Sequence, residues 1–297
     1  MTWRAWLAFA ALSVIWGIPY LFIKLAVAEI PPADVAWGRI ALGAAVLVPV
    51  AWKRRTLRAA ARRWRGACAF ALAELAIPFL LISVAERWIS SSLTAVLIAT
   101  LPFIVMLLAP LFGLGEPVSA RRLSGLACGF IGVVVLLGID PVHGLLGWAG
   151  VACVGVATVG YAIGSLVVQR YLQGVDEFGA VALSLGVATV ILLPAAAVSF
   201  PRHAPSVLAL GAVAVLGVVC TALALWLYFY LVAQAGAARA TVFTYVNPVV
   251  ATLLGITLLG EPFSISFLVG LLLILVGSWV ASLRTRGALP CRPAAGR

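Results

Sequence analysis

Apolar runs bounded by charge, proline or glycine recur along the whole chain, near 6–28, 34–52, 66–85, 91–114, 119–139, 146–168, 178–199, 207–232, 238–260 and 264–283. Each is close to the roughly 20 residues that carry a helix across the hydrocarbon of a bilayer. No stretch reads as a strand or as a soluble domain. The pattern therefore predicts an all-α integral membrane protein of ten transmembrane helices.

Composition agrees with the pattern. Of 297 residues, 64% are hydrophobic and 10% are charged, too few charges to coat a water-soluble globule of this size. The start resembles a signal peptide, with Arg4 ahead of an apolar stretch and Ala26-Val27-Ala28 as a mock cleavage site. However, the stretch from Trp6 to Ile23 is longer than a typical signal core, and Lys24 interrupts it before that site. The segment is read as the first span.

The net charge of +11 is not spread as a nucleic-acid surface would be. Lys53, Arg54, Arg55, Arg58, Arg62, Arg63 and Arg65 crowd one connection, and Arg284, Arg286, Arg292 and Arg297 lie in the tail. With the N-terminus in the cytoplasm, sixteen of the 20 Lys and Arg residues fall inside. Arg87 and Arg202 fall outside, and Lys24 and Arg39 lie within spans. By the positive-inside rule both termini are expected in the cytoplasm.

The strongest motif is an internal repeat. Leu114-Gly115-Glu116-Pro117-Val118-Ser119, then Gly125-Leu126 and Gly132, returns as Leu259-Gly260-Glu261-Pro262-Phe263-Ser264, then Gly270-Leu271 and Gly277. Upstream, Pro102 corresponds to Pro248 with a one-residue slip. The copies are five spans apart, an odd number, so the second half is expected to enter the membrane inverted, an arrangement that recurs in alternating-access transporters. This divides the chain into a first five-helix repeat (1–140), a second, inverted one (141–285) and a cytoplasmic tail (286–297). Each Gly-Glu-Pro reads first as a tight turn, with Gly ending one helix and Pro opening the next. The alternative is that Glu116 or Glu261 gates or carries protons.

Two five-span halves, Trp16-Gly17 in the first span, Arg39 in the second, and a mid-span proline before a Leu-Gly-Glu turn resemble the drug/metabolite transporter superfamily, EamA type. The resemblance covers almost the whole chain. It implies a ten-helix inner-membrane carrier exporting amino acids or other small metabolites, and the layout is most similar to amino-acid exporters of the YddG kind. A sugar, nucleoside or cationic drug fits the same residues. Trp16-Gly17 has only Val159-Gly160 as its counterpart, so the halves have diverged and the site need not be symmetric.

An ionisable residue in hydrocarbon is a functional candidate by default. Glu74 lies mid-span with no route for its side chain to reach the surface, whereas Arg39 and Lys24 can also serve as snorkelling anchors. Glu74 with one basic residue would offer opposite charges to a zwitterion. Trp16, Tyr20, Tyr161, Trp226, Tyr228, Tyr230, Tyr245 and Asn247 are candidates to line the same space, and Pro102 and Pro248 are candidate helix breaks. Coupling to protons and uncoupled facilitation both stay open.

No nucleotide-binding motif is present. His143 and His203 stand singly, and Cys68, Cys128, Cys153, Cys220 and Cys291 lack metal or redox spacing. Neither a catalytic set nor a cofactor or metal is expected, and a membrane-embedded enzyme is the most distant alternative. The partners expected are a small-molecule substrate and the bilayer, with no nucleic acid. Glycine stripes such as Gly160-x-x-x-Gly164 are read as packing helices within one chain, which favours a monomer.

Overall fold

The computed structural model describes residues 3–114, 120–139, 144–199, 201, 203–235, 246–261 and 265–282. Within them the chain is helical, with no strand. Seven helices are long and apolar enough to cross a membrane: α1 (Trp3–Val27), α2 (Pro32–Lys53), α3 (Trp64–Ala85), α4 (Ser91–Phe112), α6 (Gly144–Tyr171), α7 (Glu177–Ser199) and α8 (Val207–Gln234). Between and after them lie α5 (Ala120–Ile139), α9 (Asn247–Leu259) and α10 (Ile265–Ser282). A one-turn helix, Leu57–Ala61, links α2 to α3. The boundaries follow the apolar runs closely because charge and proline end each run where the helix ends.

Several helices are interrupted at mid-length. Proline has no N–H to continue a ladder, so a helix tends to restart at it. α1 stops at Ile15 and resumes at Pro19. α4 loosens at Ala99–Thr100 and resumes with Pro102 in its first turn. Pro248 likewise stands in the first turn of α9. Two interruptions are of another kind: α3 widens to a π-turn over Ala71–Ala76, and α8 over Val218–Leu223. Such turns leave backbone groups displaced from the regular ladder.

The helices pair closely where small residues let backbones meet. Gly132 of α5 sits against the Gly270 carbonyl and Leu273 of α10, and Gly277 against Gly125 and Gly129. Gly160 and Gly164 of α6 meet Ala73 and Glu74 of α3. The close pairs also include α2 with α7, α1 with α8, and α4 with α9. Two large apolar clusters result, beside a small third one of Leu101, Val105, Ala162 and Leu166. One holds Leu47, Phe70, Leu172 and Leu185 towards the basic end of the bundle, the other Ile23, Ile89, Leu93 and Leu216 towards the opposite end. Outward, residues such as Leu145, Val198 and Ile265 are widely exposed, as a lipid-facing surface requires.

The Leu-Gly-Glu turn is observed in its second copy. Gly260 adopts the left-handed conformation (φ 66°), and the Glu261 N–H donates back to the Gly255 carbonyl (3.0 Å). Two residues ahead of the matching Gly115 in the first copy, Gly113 (φ 66°) closes α4, while Gly115 to Ser119 fall outside the described residues, as does the tail.

Candidate functional site

Between the two large apolar clusters lies a narrow cavity of about 50 Å³. That is room for a few waters. Its walls include Trp16, Tyr20, Arg39, Glu74, Tyr161, Tyr228 and Asn247, which the sequence analysis singled out, together with Pro19, Phe79 and Leu225. The helix interruptions converge here: Trp16 and Pro19 flank the break in α1, Asn247 opens α9, and Glu74 sits in the α3 π-turn.

Arg39 is 3% exposed. Its guanidinium carbon lies 3.7 Å from the centroid of the Phe79 ring, an electrostatically favourable stacking. Its Nε donates to Thr221 Oγ1 (3.2 Å), and that hydroxyl donates to the Leu216 carbonyl five residues back (2.8 Å). The α8 π-turn thus presents the oxygen that orients Arg39. The same turn leaves the Cys220 carbonyl to accept from Trp16 Nε1 (2.9 Å).

Glu74 is 5% exposed, and its Oε2 is buried with no hydrogen-bond partner among the described residues. The carboxyl is pressed against α6, where a Cβ at Gly164 would overlap it. Around both groups stand aromatic rings: Trp16 against Tyr228 at 5.2 Å and Phe79 against Tyr161 at 6.5 Å between centroids. Tyr228 Oη donates to Ser165 Oγ (2.6 Å), which donates to the Tyr161 carbonyl (2.8 Å). A guanidinium and a carboxyl inside an aromatic shell can hold a small molecule carrying both a cationic and an anionic group.

Lys24, Trp226 and Tyr230 are not in the cavity wall. Lys24 does not line the cavity, because its ammonium donates to the carbonyls of Glu86 (2.6 Å) and Ile89 (2.9 Å) just past the end of α3. Trp226 stacks on Phe178 at 5.4 Å, away from the cavity. Tyr245 lies outside the described residues. Pro102 starts a helical segment next to the lining residue Leu101 and is not itself in the wall. The sequence reading missed Pro19 and Phe79. A Gly-x-Pro signal at Gly17-Ile18-Pro19 was available for the first; the second had none beyond its hydrophobicity.

Beside Lys24 is a second buried polar group. Glu86 is fully buried, and its Oε2 accepts from Ser91 Oγ (2.9 Å). Burial pushes its carboxyl up to about 8, against the opposing pull of Lys24. Glu261 accepts from the Ser91 and Ser92 N–H groups and from Ser92 Oγ.

An all-helical, multi-pass membrane bundle with a charged, aromatic-lined internal cavity is the build of a transporter. The chain belongs to the EamA-like transporter family, which matches residues 3–138 and again 148–283. It is 30% identical over 262 residues to the uncharacterized inner membrane transporter YedA of Escherichia coli K12, covering 86% of this chain and 83% of that one. An uncharacterized transporter of Archaeoglobus fulgidus is 24% identical over 280 residues (93% and 98%), and the uncharacterized transporter YvbV of Bacillus subtilis 25% over 285 (95% and 93%). A solved crystal structure superposes with a TM-score of 0.71 at 20% identity, over 95% of this chain and 97% of that one, and so shares the fold. The protein is a multi-pass inner-membrane transporter and not an enzyme. These matches give it no YddG-type identity.

Proposed function

We propose that the chain is a secondary transporter that moves a small zwitterion, an amino acid, by alternating access. The observation that carries the reading is the joint presence of Arg39 and Glu74 on one buried cavity. The guanidinium suits a substrate carboxylate, and the carboxyl of Glu74 suits an ammonium or a coupled proton. A cavity of about 50 Å³ is too tight for a metabolite, so loading requires the walls to part.

Ten spans in two inverted five-helix halves, with both termini cytoplasmic, complete the proposal. Its support is the pairing of helices. Exchanging α1 to α5 with α6 to α10 turns the pair α1–α8 into α6–α3 and leaves α2–α7, α4–α9 and α5–α10 as pairs. The two π-turns also occupy matching places, in α3 and α8. The glycine stripes are used within the chain, which supports a monomer.

The test is counterflow in proteoliposomes with a panel of labelled amino acids at two pH values. Saturable exchange of at least one amino acid is expected, lost on Arg39→Gln and altered in its pH dependence on Glu74→Gln. No exchange of any amino acid, with exchange of a sugar, nucleoside or cationic drug, would replace the substrate class. Normal transport by Glu74→Gln across pH would remove its proposed role.

A further inference from the structure

On the outer flank of α2 and α7, away from the central cavity, two recesses meet at Leu57. The first, of about 570 Å³, is walled by Trp52, Lys53, Arg55, Leu57 and Arg58. The second, of about 440 Å³, has no polar side chain in its wall and runs along α7 from Ala182 to Ile191, with Val48 and Leu57 opposite. A cationic recess and an apolar groove thus adjoin at Leu57.

The backbone that builds this cationic chamber is unusual. Arg55 has φ 58°, the left-handed region that bulky L-residues rarely adopt, and no other described non-glycine residue does so. The turn is tied by Arg55 N–H to the Trp52 carbonyl (2.9 Å) and Thr56 N–H to the Ala51 carbonyl (3.0 Å). It gathers Lys53, Arg55 and Arg58 around one space. Among the described residues none of the three forms an ion pair with a carboxylate, so the positive charge is left for something outside the chain.

The groove has the dimensions of a lipid tail. Nine helical steps from Ala182 to Ile191 rise about 14 Å, close to the depth of one leaflet, about half of ~30 Å. Its floor is open at Gly186, where an added Cβ would meet nothing within 4 Å. Trp52, 73% exposed, stands at the chamber mouth, where an indole suits the membrane interface.

We propose that these joined recesses bind an anionic phospholipid of the leaflet that the 53–65 loop faces. Lys53, Arg55 and Arg58 hold its phosphate, and one acyl chain lies along α7 over Gly186. A free phosphate would leave the groove unfilled, and the ammonium of a zwitterionic headgroup would oppose three cations. The inference rests on the membrane setting of the fold and is independent of what the central cavity carries.

Native mass spectrometry of the purified full chain, titrated with dioleoylphosphatidylglycerol, tests it. One retained lipid is expected. Its binding should fall by roughly tenfold or more when Lys53, Arg55 and Arg58 are all changed to Gln, and comparably on Gly186→Leu, which leaves every charge in place. Changing Arg62, Arg63 and Arg65 to Gln removes equal charge from the same loop outside the chamber and should leave binding intact. Dioleoylphosphatidylethanolamine should not substitute, and millimolar inorganic phosphate should not displace the lipid. Equal losses in the two charge variants, undiminished binding by Gly186→Leu, equal retention of phosphatidylethanolamine, or displacement by inorganic phosphate would each overturn the proposal.

Discussion

Glu261 Oε1 accepts the backbone N–H of Ser91 at 2.8 Å, joining the end of α9 to the start of α4 across 170 positions of sequence. Its Oε2 takes the Ser92 N–H (3.2 Å) and hydroxyl (2.6 Å), while Ser90 Oγ takes the Leu93 N–H (3.1 Å). A helix start leaves four N–H groups without partners. Here three are filled, two of them by one carboxylate from a distant helix. Separating α4 from α9 at this end uncovers those donors and the carboxylate together.

Glu261→Ala should therefore cost about 1–2 kcal/mol, the usual loss for a helix cap, and should speed hydrogen exchange at Ser91 and Ser92 well beyond that of mid-helix amides. Gly255→Ala should have a matching effect, because a Cβ there would stand 2.5 Å from Glu261 Oε2 and 2.9 Å from Ser92 Oγ. The double variant should be no worse than either single one, since both remove the same contact. Additive losses would show that the two residues act separately.

Glu86 gives stability a pH dependence of opposite sign to that of a paired carboxylate. Its carboxyl lies at about 8 in the folded chain against an ordinary 4.5, so the folded state retains a proton that the unfolded chain releases. Its contribution is complete below about 4.5 and is lost as pH rises towards about 8. Melting temperature in detergent should fall from pH 5 to pH 8.5 (roughly that interval), and Glu86→Gln should flatten the fall. Lys24 opposes the shift, so Lys24→Met should steepen it.

The apolar runs and their ends were legible because hydrocarbon thickness and the cost of burying charge act on local sequence. Trp16, Tyr20, Arg39, Glu74, Tyr161, Tyr228 and Asn247 were legible as polar or amphipathic groups at mid-span, and all seven reach one cavity. Lys24 was left open between cavity and packing because its partners are two backbone carbonyls more than sixty residues away, freed by a helix end that no side chain advertises. The π-turns were invisible for a related reason: a slipped hydrogen-bond ladder follows from tertiary packing and has no residue signature of its own. Yet one of those turns carries Glu74 and the other carries Thr221, the residue that holds Arg39.

Thr221 is accordingly a positioning residue for Arg39. Thr221→Val keeps the shape but removes the acceptor of Arg39 Nε, so the guanidinium loses its orientation while the charge remains. With whichever substrate the counterflow screen identifies, KM should rise about tenfold, the scale of one hydrogen bond to a charged group, and Thr221→Ser should restore it. Arg39→Lys should resemble Thr221→Val, since an ammonium reproduces neither the Nε donor nor the stacking on Phe79. An unchanged KM in Thr221→Val would confine the residue to packing.

The contact between α3 and α6 is the tightest constraint on Glu74. A methyl group at Gly164 would overlap the carboxyl, whereas one at Gly155 on the same helix meets nothing within 4 Å. Gly155→Ala should thus raise stability by about 0.5–1 kcal/mol through helix propensity. Gly164→Ala should lower it by about 1–3 kcal/mol, the cost of overpacking. Glu74→Ala removes the carboxyl but keeps Cβ, itself 2.8 Å from the added methyl, so in that background Gly164→Ala should lose the part of its penalty that the carboxyl causes. Thermal unfolding of the four proteins in one detergent measures the coupling. A penalty undiminished without the Glu74 carboxyl would show that the Cβ of residue 74, not the carboxyl, sets how closely the two helices approach.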